Sequence, residues 1–198
     1  LGFDIEMFLG MTNDALNTAQ ELFANAETTK ECINCLEMIV KCVDDEETPH
    51  FSKLIEGVNI QRAFCNICVE NGIDDCRSMN IFGQFEAQLS VAAYLLRNLR
   101  FKLAKDVLEY TQINKRFVAE RLSDILSNEA SNTIQQFVKK FEQAGYPESV
   151  FAEFTNAMIM RIVYEHNDIE RSDTIINSLK DAKFRCLLLL QFNKTTEA

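Results

Sequence analysis

Helical spacing of apolar residues, interrupted only by very short turns, is the feature that most constrains how this chain can fold. It is clearest from Phe85 to Leu126, where the pattern predicts three consecutive helices joined by two turns. The apolar positions that carry the pattern are Leu89, Ala92, Ala93, Leu96, Leu103, Val107, Leu108, Phe117, Val118, Leu122 and Ile125. Because connections of two to five residues make neighbouring helices pack antiparallel, the stretch predicts a unit of an α-solenoid or an irregular helical bundle.

The rest of the chain repeats this pattern, so the sequence predicts an all-α protein of about ten helices. Glycine and proline are scarce in the 198 residues, at six and two respectively. A β-sandwich of this length would need many more of these turn residues. Helix pairs of about 30 residues are typical of helical repeats. The predicted fold class is therefore an α-solenoid or an irregular antiparallel helical-repeat domain.

The length of the chain is sufficient for one domain with its own core, and we expect a single α-helical domain over residues 1–198. The chain begins at Leu1 and ends just after Ala182 to Phe192, a predicted helix that is apolar nearly all round. Such a helix is either buried or covered by a further repeat, so we expect a fragment of a longer α-solenoid protein. The acidic segment at 44–51 is the candidate sub-boundary.

Polar residues at helix starts predict where individual helices begin and end. Ser52 is expected to cap a long helix that ends at Glu70. Ile73 to Asn80 is expected to be a polar loop, with Asn80 capping the next helix. The buried stripe predicted for the second helix is Ala15, Leu16, Ala19, Leu22 and Phe23, and that for the third is Cys32, Cys35, Leu36, Ile39 and Cys42.

The charge of the chain is unevenly distributed. The net charge of −10 disfavours nucleic acid as a partner, because phosphate binding needs clustered Lys and Arg. Residues 97–121, however, carry seven basic and three acidic residues. The basic cluster within this segment comprises Arg97, Arg100, Lys102, Lys105, Lys115 and Arg116. It is interpreted either as a solvated helix face or as a docking patch for an acidic protein partner, with several side chains exposed and unpaired.

The seven cysteines are an odd number and do not predict a disulfide framework. With no signal peptide and no run of 18 apolar residues, the sequence favours a reducing, cytoplasmic setting without direct membrane insertion. Two CxxC pairs, Cys32 with Cys35 and Cys65 with Cys68, form a candidate zinc site. Both pairs lie in apolar helical stripes, which favours buried, reduced and metal-free thiols.

No pattern in the sequence indicates catalysis or a cofactor. The two histidines, His50 and His166, fall at predicted helix ends or loops, away from any activated thiol. The carboxylates of Asp44-Asp45 and Asp74-Asp75 are adjacent in loops and are interpreted as solvated charge. There is no glycine-rich phosphate loop. We therefore predict that the chain is not an enzyme.

A family resemblance covers about residues 59–192. Its residues are Ile60-Gln61, Ile81-Phe82-Gly83, the Ala87–Tyr110 helix pair, Thr133-Ile134-Gln135-Gln136-Phe137 leading to Gly145, and Ala182-Lys183-Phe184-Arg185-Cys186-Leu187. In these positions the chain resembles the C-terminal helical region of the spastizin family of large FYVE-finger proteins. The FYVE finger itself, with its basic His-rich motif and eight zinc ligands, is not in this sequence, so no lipid-binding residue carries over.

The resemblance implies a non-catalytic scaffold that works with spatacsin and the fifth adaptor complex in endolysosomal trafficking, lysosome reformation and autophagy. It also implies a location at the cytosolic face of late endosomes and lysosomes. The alternatives are an α-solenoid fragment of another large assembly, such as a nucleoporin, a vesicle tether or a coat subunit, and a CxxC zinc-binding module.

Overall fold

The computed structural model describes residues 2–43, 49–165 and 167–192, without the side chains of 49 and 50. Across these ranges the chain forms eleven helices and no strand, which confirms the predicted all-α fold. The helices are α1 (Gly2–Phe8), α2 (Thr12–Asn25), α3 (Thr29–Val43), α4 (Pro49–Glu70), α5 (Phe85–Arg97), α6 (Phe101–Thr111), α7 (Lys115–Leu126), α8 (Ser131–Gln143), α9 (Glu148–Tyr164), α10 (Ile169–Ser178) and α11 (Ala182–Gln191).

The chain divides into two compact units, Leu1–Val91 and Ala92–Ala198, and the division falls within α5. The predicted sub-boundary at 44–51 includes residues 44–48, which lie outside the described residues, so it stays a prediction. In the first unit each helix packs against the next one, α1 on α2, α2 on α3 and α3 on α4. The predicted stripe of α3 is confirmed, since Cys32, Cys35, Leu36, Ile39 and Cys42 are all buried.

The connection between α4 and α5 differs from the prediction. Residues 71–84, here called the anchored loop, lie outside the helices and turn at Gly72, whose φ of 71° suits a residue without a side chain. The loop is not simply polar, because Cys76 and Ile81 are buried in it. Asn80 does not cap α5: its Oδ1 accepts from the backbone N–H of Phe82, 2.8 Å away. It closes a local turn instead.

Two further positions depart from the sequence pattern. Helix α4 begins at Pro49, not at a Ser52 cap, because the fixed φ of proline suits the first helical turn. Leu22 and Phe117 are 45% and 47% exposed although both sit at core spacing. Spacing identifies a face of a helix but not whether a neighbouring helix covers it.

In the second unit, alternate helices pack together. Helix α7 packs against α9 and α8 against α10, while α10 also contacts α9 and α11. This is the arrangement expected of stacked helix pairs, in which each helix meets its counterpart in the next pair. At the centre the Phe141 ring lies 5.1–5.5 Å, between centroids, from five other rings. They belong to Phe101, Phe137, Tyr146, Phe151 and Phe154.

Candidate interaction surface and thiol cluster

The basic cluster lies along three consecutive elements. Arg97 ends α5, Arg100 precedes α6, Lys102 and Lys105 lie on α6, and the remaining two residues begin α7. Five of the six residues are exposed and Lys115 is half-buried. The helix–turn–helix connectivity therefore presents most of these cations to solvent.

The expectation that several of these cations are unpaired is wrong for three of them. Arg97 pairs with Glu129, which follows α7. Lys105 lies 3.7 Å from Glu109, and Arg116 lies 3.1 Å from Glu120, each one helical turn further along. The i,i+4 spacing of the acids explains the last two pairs. Because exposed ion pairs contribute little to stability, a partner carboxylate could replace these acids at small cost.

Arg116 also lines a cleft of about 480 Å³, here called the α7–α9 groove. A volume in this range is typical of ligand and peptide clefts. The lining residues are Arg116, Glu120, Glu153, Asn156, Ala157, Met160, Arg161, Tyr164 and Glu165. Exposed apolar area is available there, since Met160 is 37% and Tyr164 64% exposed. The groove thus combines apolar and charged lining residues.

The polar groups of the groove are only partly satisfied. Arg161 lies 2.5 Å from Asp124, outside the lining of the groove, and 3.1 Å from Glu165 within it, so its charge is balanced locally. The Oδ1 of Asn156 is buried and accepts no hydrogen bond within the described residues. A buried acceptor without a donor costs free energy that a donor from a bound partner would recover.

A second site lies in the first unit, where three thiols meet. Cys32 of α3, Cys65 of α4 and Cys76 of the anchored loop form the thiol cluster, and all three are buried. The sulfur atoms of Cys65 and Cys76 are 3.6 Å apart. Cys32 lies close enough to Cys76 to affect its ionisation. The sequence prediction missed Cys76, because a single cysteine in a loop carries no spacing signal.

The three thiols differ in how readily they ionise. Hydrogen bonding with Cys32, followed by that with Cys65, lowers the pKa of Cys76 well below its usual value. The same hydrogen bonds, followed by burial, raise the pKa of Cys32 and of Cys65. Burial raises the pKa of Cys68 to about 12. Cys76 is therefore the thiol of the cluster that carries a negative charge first, and the thiolate is the nucleophilic form of cysteine.

Two buried polar side chains hold the anchored loop against α3 and α4. The Gln61 amide donates to Cys65 Sγ at 3.5 Å and to the Met79 carbonyl at 3.3 Å, and it accepts from the Ile81 N–H at 2.9 Å. The Thr29 hydroxyl donates to the carbonyl of Ile73 at 3.0 Å, and its single hydrogen is thereby committed. These bonds fix Cys76 beside the two helices.

The structure places one cysteine of each CxxC pair beside Cys76. Cys32 and Cys65 contact Cys76, while Cys35 and Cys68 are buried nearby on the same two helices. Among the described residues no group of three or more Cys, His, Asp or Glu has a geometry that could hold a metal ion. That the four CxxC thiols are metal-free stays a prediction.

No protein-family model matches the chain, and neither does any curated protein or any solved structure. None of the helices described combines the length and apolar character that crossing a bilayer requires. The fold defines the class, an all-α helical protein. The spastizin resemblance, the partners drawn from it and the absence of catalysis stay predictions.

Proposed function

We propose that this chain is a non-catalytic protein-interaction scaffold whose basic cluster docks an acidic segment of a partner protein, while the adjoining α7–α9 groove receives apolar side chains of the same partner. The observation that carries the proposal is the exposed basic cluster in a chain whose net charge is −10. A positive patch in a negative field steers an acidic partner to one place and repels basic ones. The groove next to it supplies apolar contact area.

Following the spastizin resemblance, we propose spatacsin and the fifth adaptor complex as the partners, at the cytosolic face of late endosomes and lysosomes. The chain would then act in endolysosomal trafficking, lysosome reformation and autophagy. Helical stacking of the kind seen in α7 to α10 supports a scaffold role, because it exposes long helix faces for partners.

The test is capture of spatacsin and adaptor subunits from cell lysate by the immobilised full chain, measured by mass spectrometry. Replacing Arg100, Lys102 and Lys105 with glutamate should lower capture by about tenfold or more, with strong salt dependence. The matched control replaces Lys139, Lys140 and Lys183, which are exposed on α8 and α11, with glutamate. The control makes the same charge change and should retain capture.

Loss of capture in both triple variants would show that net charge alone governs binding. Failure of the unmodified chain to enrich spatacsin would remove the partner assignment. Enrichment of nucleoporins, tethers or coat subunits in its place would favour the alternative, an α-solenoid part of another large assembly.

A further inference from the structure

The thiol cluster is not used by the proposed scaffold function, and its geometry suggests chemistry of its own. The cluster joins three separate elements, because Cys32 lies on α3, Cys65 on α4 and Cys76 on the anchored loop. The sulfur atoms of Cys65 and Cys76 are in direct contact at 3.6 Å. A disulfide bond requires about 2.05 Å, so an approach of roughly 1.5 Å would join them.

A small cleft of about 80 Å³ leads to this cluster. Its lining residues are Phe23, Ala24, Cys32, Gln61, Cys76, Arg77 and Asn80. The cleft is large enough for a few water-sized molecules. Hydrogen peroxide is a molecule of about that size. Cys76 and Cys32 line the cleft, whereas Cys65 does not line it and is fully buried.

We propose that Cys76 is a peroxide-reactive thiol and that Cys65 is its resolving partner, so that the thiol cluster is a site of reversible oxidative modification. The inference does not depend on the scaffold proposal. The oxidant is hydrogen peroxide or another small hydroperoxide, which is small enough to enter the cleft.

The reaction proceeds in two balanced steps. The Cys76 thiolate attacks one peroxide oxygen, the O–O bond breaks, and the products are a Cys76 sulfenic acid and a hydroxide that takes a proton to become water. The Cys65 sulfur then attacks the sulfenic sulfur, an S–S bond forms, and the S–O bond breaks with release of a second water. Two thiols lose two electrons in total, and the peroxide gains them.

The structure favours Cys76 as the attacking sulfur for an additional reason. Both neighbouring thiols can donate to it, with the Cys65 sulfur 3.6 Å away, and the Gln61 amide donates to Cys65. Such a chain of donors stabilises negative charge on its terminal member. The proton released when Cys65 attacks has an acceptor in the hydroxide that leaves the sulfenic sulfur.

The test compares Cys76 with Cys186, because Cys186 is half-buried and all six other cysteines are buried. If exposure alone governed reactivity, Cys186 would oxidise first. The reduced full chain is treated with graded hydrogen peroxide, the remaining thiols are alkylated, and the peptides are mapped by mass spectrometry. We expect a Cys65–Cys76 cross-linked peptide, two hydrogen atoms lighter, to appear while Cys186 is still alkylated. Oxidation of Cys186 first, or full alkylation of Cys76 after treatment, would overturn the proposal.

Variants add a second readout. Cys65→Ser should leave a Cys76 sulfenic acid that dimedone traps, and it should slow disulfide formation at Cys76 by about tenfold or more. Cys35→Ser is the matched control, since Cys35 is buried on α3 outside the thiol cluster, and it should retain the Cys65–Cys76 disulfide. Glutathione disulfide in place of peroxide should leave Cys76 unmodified. Because the order of oxidation is measured on the unaltered chain, the result stands even where a variant fails to fold.

Discussion

At the scale of single residues, Gln61 is a buried polar side chain on an otherwise apolar helix face, and it helps to fix the fold around it. It is 1% exposed, and both amide hydrogens and the carbonyl oxygen have partners. A buried amide with every group satisfied specifies one arrangement of its surroundings, because any other arrangement leaves a polar group unpaired. In this chain the arrangement it specifies is the path of the anchored loop over α4.

Gln61→Ala should therefore destabilise the chain by about 2–3 kcal/mol, because it leaves the Ile81 N–H buried without an acceptor and opens a cavity. The measurement is urea unfolding followed by circular dichroism. Gln20→Ala on α2 is the control, since Gln20 is exposed and the change should stay within about 0.5 kcal/mol. Equal effects of the two substitutions would contradict the role given to Gln61.

Tyr146 provides a prediction about pH. Its hydroxyl donates to the Phe101 carbonyl at 2.7 Å, and burial, followed by the nearby Asp106 and Glu109, raises its pKa above the usual value. A group whose pKa is higher in the folded state keeps its contribution below the unfolded pKa of about 10 and loses it as the pH rises from there. Stability should thus fall above pH 10, measured by urea unfolding at stepped pH. Tyr146→Phe should show a smaller alkaline loss than the unaltered chain.

Many contacts of individual residues could not be predicted from the sequence, because they join residues that are distant along the chain. The burial of Cys32, Cys35, Cys65 and Cys68 followed from helical spacing. The contact of Cys76 with Cys65 did not, because it requires the path of a loop held by hydrogen bonds to distant residues, those of Gln61 and Thr29 among them. Spacing also cannot show how far a helix face is covered, and Phe117 is 47% exposed although it sits at core spacing.

At the scale of elements, the helices were predictable and their partners less so. Ten or so helices with short turns follow from periodicity, and the structure has them. Antiparallel neighbours were expected throughout, yet in the second unit α7 pairs with α9 and α8 with α10. Apolar spacing states which face of a helix is buried, but several helices can satisfy the same face. The α7–α9 groove is a consequence of this packing and had no signal in the sequence.

Filling the groove tests its role as a docking surface. Ala157 lines it and is half-buried, so Ala157→Trp should occupy the groove and lower partner capture by about tenfold or more while shifting stability by less than about 1 kcal/mol. The control is Ala152→Trp, because Ala152 is also half-buried on α9 but lines a different cleft of about 230 Å³. Capture is measured by mass spectrometry and stability by thermal unfolding. Undiminished capture by the Ala157 variant would move the docking site elsewhere.

At the scale of the whole molecule, the chain consists of two compact units, and each has its own core. The aromatic rings around Phe141 belong entirely to the second unit, while the thiol cluster and the anchored loop belong to the first. The boundary between the two units within α5 could not be predicted from the sequence, because the apolar spacing of that helix continues without a break. Local stability is therefore expected to differ between the units.

Phe141→Ala should cost about 3–5 kcal/mol, the usual loss for a large aromatic ring in a core. Hydrogen exchange followed by mass spectrometry should show lost protection in α6, α8 and α9, with α3 and α4 still protected. Phe117→Ala, at a 47% exposed position, should change protection little. Uniform loss of protection along the chain in the Phe141 variant would show that the two units unfold as one.

The anchored loop also has a consequence for how the protein folds in time. Its hydrogen bonds join residues distant in sequence, 44 positions apart for Thr29 and Ile73 and 20 for Gln61 and Ile81. Closing such loops costs chain entropy before the contacts form, whereas the hairpins of α2 to α4 close locally. We expect the native contacts of the loop to form after the rate-limiting step of folding. Gln61→Ala should therefore speed unfolding and leave the refolding rate nearly unchanged in stopped-flow measurements. Slower refolding of the variant would place the loop in the folding nucleus. With a loop that forms late, the lifetime of the native state, and not the speed of reaching it, depends on one glutamine and the loop it holds.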